Sequence, residues 1–151
     1  MVNAAFITGF ANGISVLMAN GRILNTIVYW LSIPMGTMGS VLGANFMFVA
    51  NLFINLFIPS GSGQAAAVMP ILVPVADLAG ITRQVAVQAF QFGDGLTNSI
   101  FPTSGTLMAA LAITKVDWIR YARWFLRVLG CQVILAFASL TILQMIGWTG
   151  L

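Results

Sequence analysis

Two stretches rich in hydroxyl, amide and glycine residues interrupt an otherwise apolar sequence. The first is IPSGSGQ at residues 58–64, and the second is QFGDGLTNSIFPTSG at residues 91–105. Both lie between segments apolar enough for lipid, where an irregular backbone survives only if it is buried in protein or lines a wet cavity. We therefore interpret the two stretches as one ligand site, built from two broken helices held face to face.

Asp94 is the most informative residue of this candidate site. A charged side chain at bilayer depth costs about 2.5 to 3.5 kcal/mol on insertion scales, so it is a functional candidate by default. The alternative is that its carboxylate accepts nearby backbone amides as a helix cap. The residues expected to bind a substrate or an ion are Ser60, Gly61, Ser62, Gly63, Asp94, Thr97, Asn98, Thr103, Ser104 and Gly105. A sodium ion is expected near Ser62, Gly93, Asp94 and Asn98.

The helix ends around the two stretches suggest what would bind there. Helices expected to begin near Gly63 and Gly105 would bring two N-termini, each equivalent to roughly half a positive charge, into one cavity. That arrangement suits a carboxylate. Helices expected to end near Ile58 and Phe92 would present carbonyl oxygens, which suit a cation or a substrate ammonium group.

Composition places the chain among all-α integral membrane proteins. Of its 151 residues, 60% are hydrophobic and 6% are charged, and the mean hydropathy is +0.99, far from the profile of soluble domains. The sequence contains no histidine, which excludes multi-histidine metal sites and histidine acid–base catalysis. Its net charge of +3 gathers near one predicted helix end, where membrane topology explains it without a nucleic-acid partner. We expect no cofactor beyond a coupling Na⁺ or H⁺.

The first half of the chain is expected to supply a hairpin. Residues 1–36 are expected to hold part of a transmembrane helix and an interfacial connecting helix, and residues 37–82 a re-entrant helical hairpin with its tip at residues 59–64. The returning arm, Gln64 to Asp77, contains Pro70 and Pro74 and would reach only about 20 Å, less than the ~30 Å hydrocarbon core. Two full spans would give the same sidedness and remain the alternative.

The second half is expected to supply the broken helix and a closing span. Residues 83–114 are too long for one straight span, and their central glycines and Pro102 predict two half-helices with an unwound middle. Residues 115–151 are expected to form a basic interfacial helix on the cytoplasmic face and a final transmembrane helix. The positive charges of this interfacial helix predict an extracytoplasmic C-terminus.

The sequence also resembles a known family. PSGSGQA at residues 59–65 and FQFGDGLTNSIFPTSG at residues 90–105 resemble signatures of the YfcC family, and the likeness extends through residues 9–18 and ADLAGITRQ at residues 76–84. That family belongs to the ion-transporter superfamily, with anaerobic C4-dicarboxylate carriers and aminobenzoyl-glutamate transporters. The resemblance implies one of two inverted repeats of an elevator-type transporter, with residues 60–63 as the hairpin tip, residues 93–105 unwound, and this chain as the C-terminal repeat.

Together these features predict the C-terminal half of an ion-coupled secondary transporter, such as an antiporter, rather than an enzyme. It would move a small carboxylate-bearing solute, an amino acid or a dicarboxylate, across the bacterial cytoplasmic membrane. Its partners would be that solute, the lipid bilayer, and the N-terminal repeat or another chain, as in a homodimer. The alternatives are a structural membrane subunit, an inactive truncated fragment or, more remotely, an intramembrane aspartyl protease that pairs Asp94 with Asp77.

Overall fold

The computed structural model describes residues 37–150, together with scattered positions between residues 16 and 34. The elements expected in residues 1–36 therefore lie largely outside the described residues. Between residues 37 and 150 the secondary structure is helical, without strands, as the composition predicts. The helices are α1 (Ser40–Phe57), α2 (Gly61–Leu78), α3 (Arg83–Asn98), α4 (Gly105–Thr114) and α5 (Trp118–Met145).

Three of these helices have the length and hydropathy of membrane spans. They are α1, α2 and α5. Their side chains are largely apolar, and only 11% of the most apolar window of α5 is buried inside the protein. Since exposed apolar surface of this extent is stable in lipid rather than in water, the chain is a multi-pass membrane protein.

Helices α1 and α2 form a hairpin whose returning arm is longer than the sequence predicts. The turn is residues 58–60, and Ser60 caps α2 by accepting a hydrogen bond from the backbone N–H of Gly63 at 3.3 Å. Helix α2 contains 18 residues and runs through Pro70 and Pro74, so it reaches about 27 Å at 1.5 Å per residue. The predicted length of about 20 Å is too short because the helix begins at Gly61 and ends at Leu78, three residues before and one residue after the predicted arm, and neither proline ends it.

The broken helix is present, but its unwound part is shorter than expected. Helix α3 continues through Gly93 and Gly95 to Asn98, and the break covers only residues 99–104. The expectation that unwinding starts at Gly93 is wrong. A glycine inside a helix costs only about 1 kcal/mol, and the packing of Gly93 against α1, described below, outweighs that cost.

The basic segment belongs to the closing helix. Helix α4 ends where Lys115 adopts a left-handed conformation, with φ of 55°. The carboxylate of Asp117 then caps α5 by accepting hydrogen bonds from the N–H groups of Ile119 and Arg120. From Trp118 to Met145 the chain is one helix of 28 residues. The predicted separation into an interfacial helix and a span is therefore wrong, because no helix-breaking residue other than Gly130 interrupts these residues.

The apolar core lies mainly between α1 and α3, with α2 and α5 packed at their sides. Its largest fully buried apolar side chains are Phe48, Met47, Ile54, Leu72, Leu140, Val68 and Val85. Polar contacts join the far end of this bundle. Gln144 of α5 donates to the carbonyl of Gly80 at 3.0 Å and accepts from the N–H of Thr82 at 3.2 Å. The α2–α3 turn is thereby fixed to the end of α5, and the hairpin tip points toward the break.

Candidate functional site

Gly93 sets the distance between α1 and α3. A Cβ atom at this position would lie 2.5 Å from the Cβ of Asn51 and 3.0 Å from its carbonyl carbon. Only a hydrogen fits, so the two backbones approach as closely as at small-residue helix contacts in membranes. This contact holds the C-terminal third of α3 against the arm that leads to the hairpin tip.

A buried amide fixes the same contact. The Nδ2 of Asn55, which is fully buried, donates to the carbonyl of Asp94 at 3.0 Å and to the Oγ1 of Thr97 at 2.5 Å. The hydroxyl of Thr97 in turn donates to the carbonyl of Gly93 at 2.6 Å. Thr97 was expected to bind the ligand, but it is buried and joins the two helices, so the structure places it outside the cavity.

A second amide pair attaches α2 to α1. The Nε2 of Gln64 donates to the Oδ1 of Asn51 at 3.1 Å, and both side chains are fully buried. Gln64 lies one turn after Gly61, at the start of α2. The pair therefore fixes the first turn of α2, and with it the hairpin tip, relative to α3.

Asp94 lies where the tip meets α3. Its side chain is partly buried, and its Oδ1 accepts a hydrogen bond from the Nδ2 of Asn98 at 2.9 Å. A Cβ atom on Gly61 would lie 2.8 Å from the Oδ2 of Asp94, so a larger residue here would displace the Asp94 carboxylate. Among the described residues, the ion pair that forms is Asp77 with Arg83, and no basic side chain pairs with Asp94. Asp94 lies inside α3 and accepts a side-chain amide, which does not match the alternative of a backbone cap.

An open cavity of about 590 Å³ separates the tip from the break. The first residues of both α2 and α4, Gly61 and Gly105, line it, so the two helix N-termini do meet in one space. Ser104, the N-cap of α4, lines it too and makes no side-chain cap bond. Leu107, Ala110, Tyr121 and Phe125 complete one wall.

Two side-chain oxygens near the break are buried without a hydrogen-bond partner among the described residues. They are the Oδ1 of Asn98 and the Oγ1 of Thr103. A buried polar atom left unpaired costs about 1 to 3 kcal/mol, and a ligand or ion at the break would remove that cost for these two. Both were expected as site residues from the sequence. The amide oxygens of Asn45, Asn55, Gln64 and Gln132 are also buried and unpaired, so an unpaired oxygen alone does not identify a binding site.

The remaining predicted residues are placed differently. Ser62 and Gly63 are exposed on the first turn of α2, and Ser60 caps that helix. The carbonyl of Gly93 already accepts the hydroxyl of Thr97. Of the four residues expected around a sodium ion, the structure joins Asp94 and Asn98 by a hydrogen bond, whereas Ser62 faces outward and Gly93 packs against α1.

Two aromatic residues at the start of the segment expected to be an interfacial helix bind the backbone of the break. The indole N–H of Trp118 donates to the carbonyl of Ile100 at 2.9 Å, and the hydroxyl of Tyr121 donates to the carbonyl of Ser99 at 2.9 Å. They satisfy carbonyls that the end of α3 leaves without helical partners. Their spacing on one face of α5 was visible in the sequence, but a polar-tipped aromatic at an interface gives the same pattern.

The geometry does not support an aspartyl protease. Gly61, which contacts Asp94, and Asp77 lie near opposite ends of α2, and the 16 helical steps from one to the other span about 24 Å. Asp77 instead forms a two-point ion pair with Arg83, with N to O distances of 3.0 and 2.9 Å. Two carboxylates that share a proton must be in contact.

Comparison with known proteins identifies the family. The model of the C4-dicarboxylate anaerobic carrier family, DcuC, matches residues 1–145. The chain belongs to this carrier family. DcuC membership agrees with the YfcC resemblance and with the prediction that the chain is not an enzyme. No solved structure matches the chain.

Two curated relatives show how much of a DcuC-family protein this chain represents. It is 39% identical to "Putative basic amino acid antiporter YfcC" of Escherichia coli (strain K12), over 98% of this chain and 30% of that protein. It is 30% identical to an "Uncharacterized protein" of Haemophilus influenzae (strain ATCC 51907 / DSM 11121 / KW20 / Rd), over 94% of this chain and 28% of that protein. The chain therefore spans less than a third of the length of these two relatives.

Proposed function

We propose that this chain is the C-terminal part of an ion-coupled secondary transporter for a small carboxylate-bearing solute, and that the solute binds between the hairpin tip and the break. The observation that carries the proposal is the position of Asp94. It has no basic partner among the described residues. It lies against Gly61 and accepts a hydrogen bond from Asn98, and both of these residues line the cavity that the two helix N-termini share. Unpaired charge at such a place is typical of a binding site in a membrane carrier.

The two helix N-termini supply the part of the site that recognises a carboxylate. Ser104 and Gly105 begin α4, and Gly61 begins α2, so backbone N–H groups and two helix dipoles act on the same cavity. An anion at a helix N-terminus gains about 0.3 to 1 kcal/mol at an exposed site and up to about 2 kcal/mol when partly buried. The uncapped side chain of Ser104 adds a hydroxyl donor for the same group.

Asp94 and Asn98 supply the part that recognises a cation. The carboxylate of Asp94 and the unpartnered Oδ1 of Asn98 are hard oxygen ligands, which suit Na⁺ or a substrate ammonium group. An amino acid carries both groups, so its carboxylate would meet the helix N-termini while its ammonium meets Asp94. The printed name of the Escherichia coli relative, a basic amino acid antiporter, supports this choice over a dicarboxylate.

We infer a re-entrant arrangement for the α1–α2 hairpin, as in one repeat of an elevator-type transporter. The support is the close approach of Gly61, at the tip, to Asp94 of α3. The length of α2, about 27 Å, would also allow a full span and does not favour either arrangement. Another repeat, from the same protein or a second chain, would cover the exposed residues Ser62 and Gly63. In this arrangement the basic residues after α4 face the cytoplasm, and the C-terminus lies outside the bacterial cytoplasmic membrane.

The charge of Asp94 tests the proposal directly. We expect Asp94→Asn to abolish ion-coupled uptake by the complete transporter, because the amide keeps the shape but removes the charge that binds the cation. Removing one member of a buried charge pair commonly costs about 3 to 5 kcal/mol, more than a hundredfold in occupancy. Uptake in proteoliposomes and helical content by circular dichroism would be measured together.

Asp77→Asn is the matched control for this experiment. Its carboxylate lies at the other end of α2 and pairs with Arg83 on the surface, where an ion pair contributes about 0 to 1 kcal/mol. Uptake should stay near the wild-type value. Normal uptake by Asp94→Asn would contradict the proposed role of Asp94. If the wild-type assembly showed neither binding nor uptake, a structural subunit or an inactive fragment would be favoured.

Thiol labelling tests the hairpin and the orientation. In a Cys131→Ser background, which removes the free cysteine, Ser62→Cys should react slowly with impermeant reagents from either side because another repeat covers the tip. Thr114→Cys, at the exposed end of α4, should react quickly from the cytoplasm, and Leu151→Cys from the outside. Rapid reaction of Ser62→Cys from the cytoplasm would show that α1 and α2 are two full spans.

A further inference from the structure

The first turns of α5 carry a second polar feature, on a different face from the aromatic residues that hold the break. Arg120, Arg123 and Arg127 are spaced by three and four residues, so they share one helix face, and all three are exposed. Tyr121 and Phe125 lie on the neighbouring face and line the ligand cavity. The arginines therefore take no part in the carrier site described above.

None of the three acidic side chains in the sequence forms an ion pair with these arginines. Asp77 pairs with Arg83, Asp94 accepts from Asn98, and Asp117 caps α5 through its Oδ2. Asp117 lines the same depression as the arginines, but its carboxylate lies within 4.0 Å of none of their guanidinium nitrogen atoms. Three guanidinium groups thus remain without a carboxylate side chain to pair with inside this chain.

The surroundings of the arginines are those of a lipid-facing surface. A depression of about 410 Å³ is lined by Asp117, Ile119, Arg120, Arg123, Trp124 and Arg127. Trp124 is 63% exposed and Ile119 is 53% exposed, and the apolar length of α5 continues beyond them. A free anion would gain nothing from these apolar groups, whereas a phospholipid would place its acyl chains on them.

We propose that Arg120, Arg123 and Arg127 form a binding site for the phosphodiester headgroup of an anionic phospholipid, with Trp124 and Ile119 beneath its acyl chains. Guanidinium groups donate two parallel hydrogen bonds to phosphate oxygens, which an ammonium group cannot do. Basic side chains near an anionic membrane surface each strengthen binding by roughly fivefold. The site is separate from the carrier site and does not depend on the proposed function.

Spin-labelled lipids measure this binding with the chain reconstituted in phosphatidylcholine bilayers. The fraction of label immobilised at the protein surface gives the preference for phosphatidylglycerol over phosphatidylcholine. We expect a clear preference for phosphatidylglycerol in the wild-type chain, and its loss in Arg120→Gln/Arg123→Gln/Arg127→Gln. A wild-type chain that does not discriminate between the two lipids would overturn the proposal and leave the face for a protein partner.

Two matched variants distinguish a specific phosphate-binding site from diffuse electrostatic attraction to the membrane. Arg22→Gln/Arg83→Gln/Lys115→Asn removes the same net charge from the three other basic residues and should keep most of the preference. Arg120→Lys/Arg123→Lys/Arg127→Lys keeps the charge and helix propensity but removes the guanidinium geometry, and should lower the preference several-fold. An undiminished preference in the lysine variant, or equal losses in the two charge-removing variants, would show diffuse attraction and overturn the site. Circular dichroism confirms that each variant folds.

Discussion

Thr97 and Asn98 are adjacent on α3, but Thr97 is buried between helices whereas Asn98 lines the cavity. Thr97 is 5% exposed and joins α3 to Asn55 of α1, and its hydroxyl both donates and accepts. Asn98 lines the cavity, bonds Asp94, and leaves its Oδ1 unpaired. Successive residues on a helix point about 100° apart, so one residue of sequence separates a structural contact from a candidate ligand contact.

The same contrast extends to the two ends of the site. On the α1 side, the amide nitrogens of Asn51, Asn55 and Gln64 all donate to protein, although the oxygens of Asn55 and Gln64 stay unpaired, and Gly93 lets the backbones touch. On the α4 side, Ser104 lines the cavity without a side-chain cap bond, and the Oγ1 of Thr103 is buried without a partner among the described residues. Both sides use small, hydroxyl and amide residues. Residue type therefore marks the whole region as polar, whereas the packing decides which part holds the helices and which part is free to bind.

The two glycines of α3 provide the strongest test of this division. Gly93→Ala places a Cβ against Asn51 and should destabilise the protein by about 3 kcal/mol, near the upper end for an overpacked core. Gly95→Ala meets no atom within 4 Å and should be neutral or stabilise by about 0.5 to 1 kcal/mol, since alanine favours helix. Unfolding in mixed micelles would compare them. Equal stability of the two variants would show that the α1–α3 contact is looser than described.

Alanine at Asn55 and at Asn98 should separate stability from binding. Asn55→Ala removes two buried hydrogen bonds and should cost about 1 to 3 kcal/mol of stability. Asn98→Ala removes one bond and also an unpaired oxygen, so we expect a smaller loss of stability but weaker binding of the cation or solute. Stability by denaturation and binding by calorimetry would be measured on both. If Asn98→Ala loses as much stability as Asn55→Ala while its binding is unchanged, then Asn98 is a structural residue and not a ligand contact.

The sequence was sufficient for the class of fold and for the region of the site. Its hydropathy predicts the membrane helices, and the loops around Ser60 and Ser104 predict where a hairpin tip and a second N-terminus meet. It could not place the start of the break, because the cost of glycine in a helix is small and the compensating contact with Asn51 comes from 42 residues earlier in the chain. It also could not show that Trp118 donates a hydrogen bond to the backbone of the break, since an interfacial tryptophan has the same sequence pattern.

The smallest expected effect concerns the aromatic residues that hold the break. Tyr121→Phe removes the hydrogen bond to the carbonyl of Ser99 but keeps the ring stacked on Phe125, with centroids 5.3 Å apart. We expect a loss of about 1 kcal/mol, together with faster hydrogen exchange confined to residues 99–105, because the freed carbonyl loosens the break. Trp124→Phe alters an outward-facing indole on the same helix and should leave exchange in that segment unchanged. If the two substitutions accelerate exchange equally, or neither does, then α5 does not support the break through Tyr121, and the cavity keeps its shape through the contacts of α1 and α3 alone.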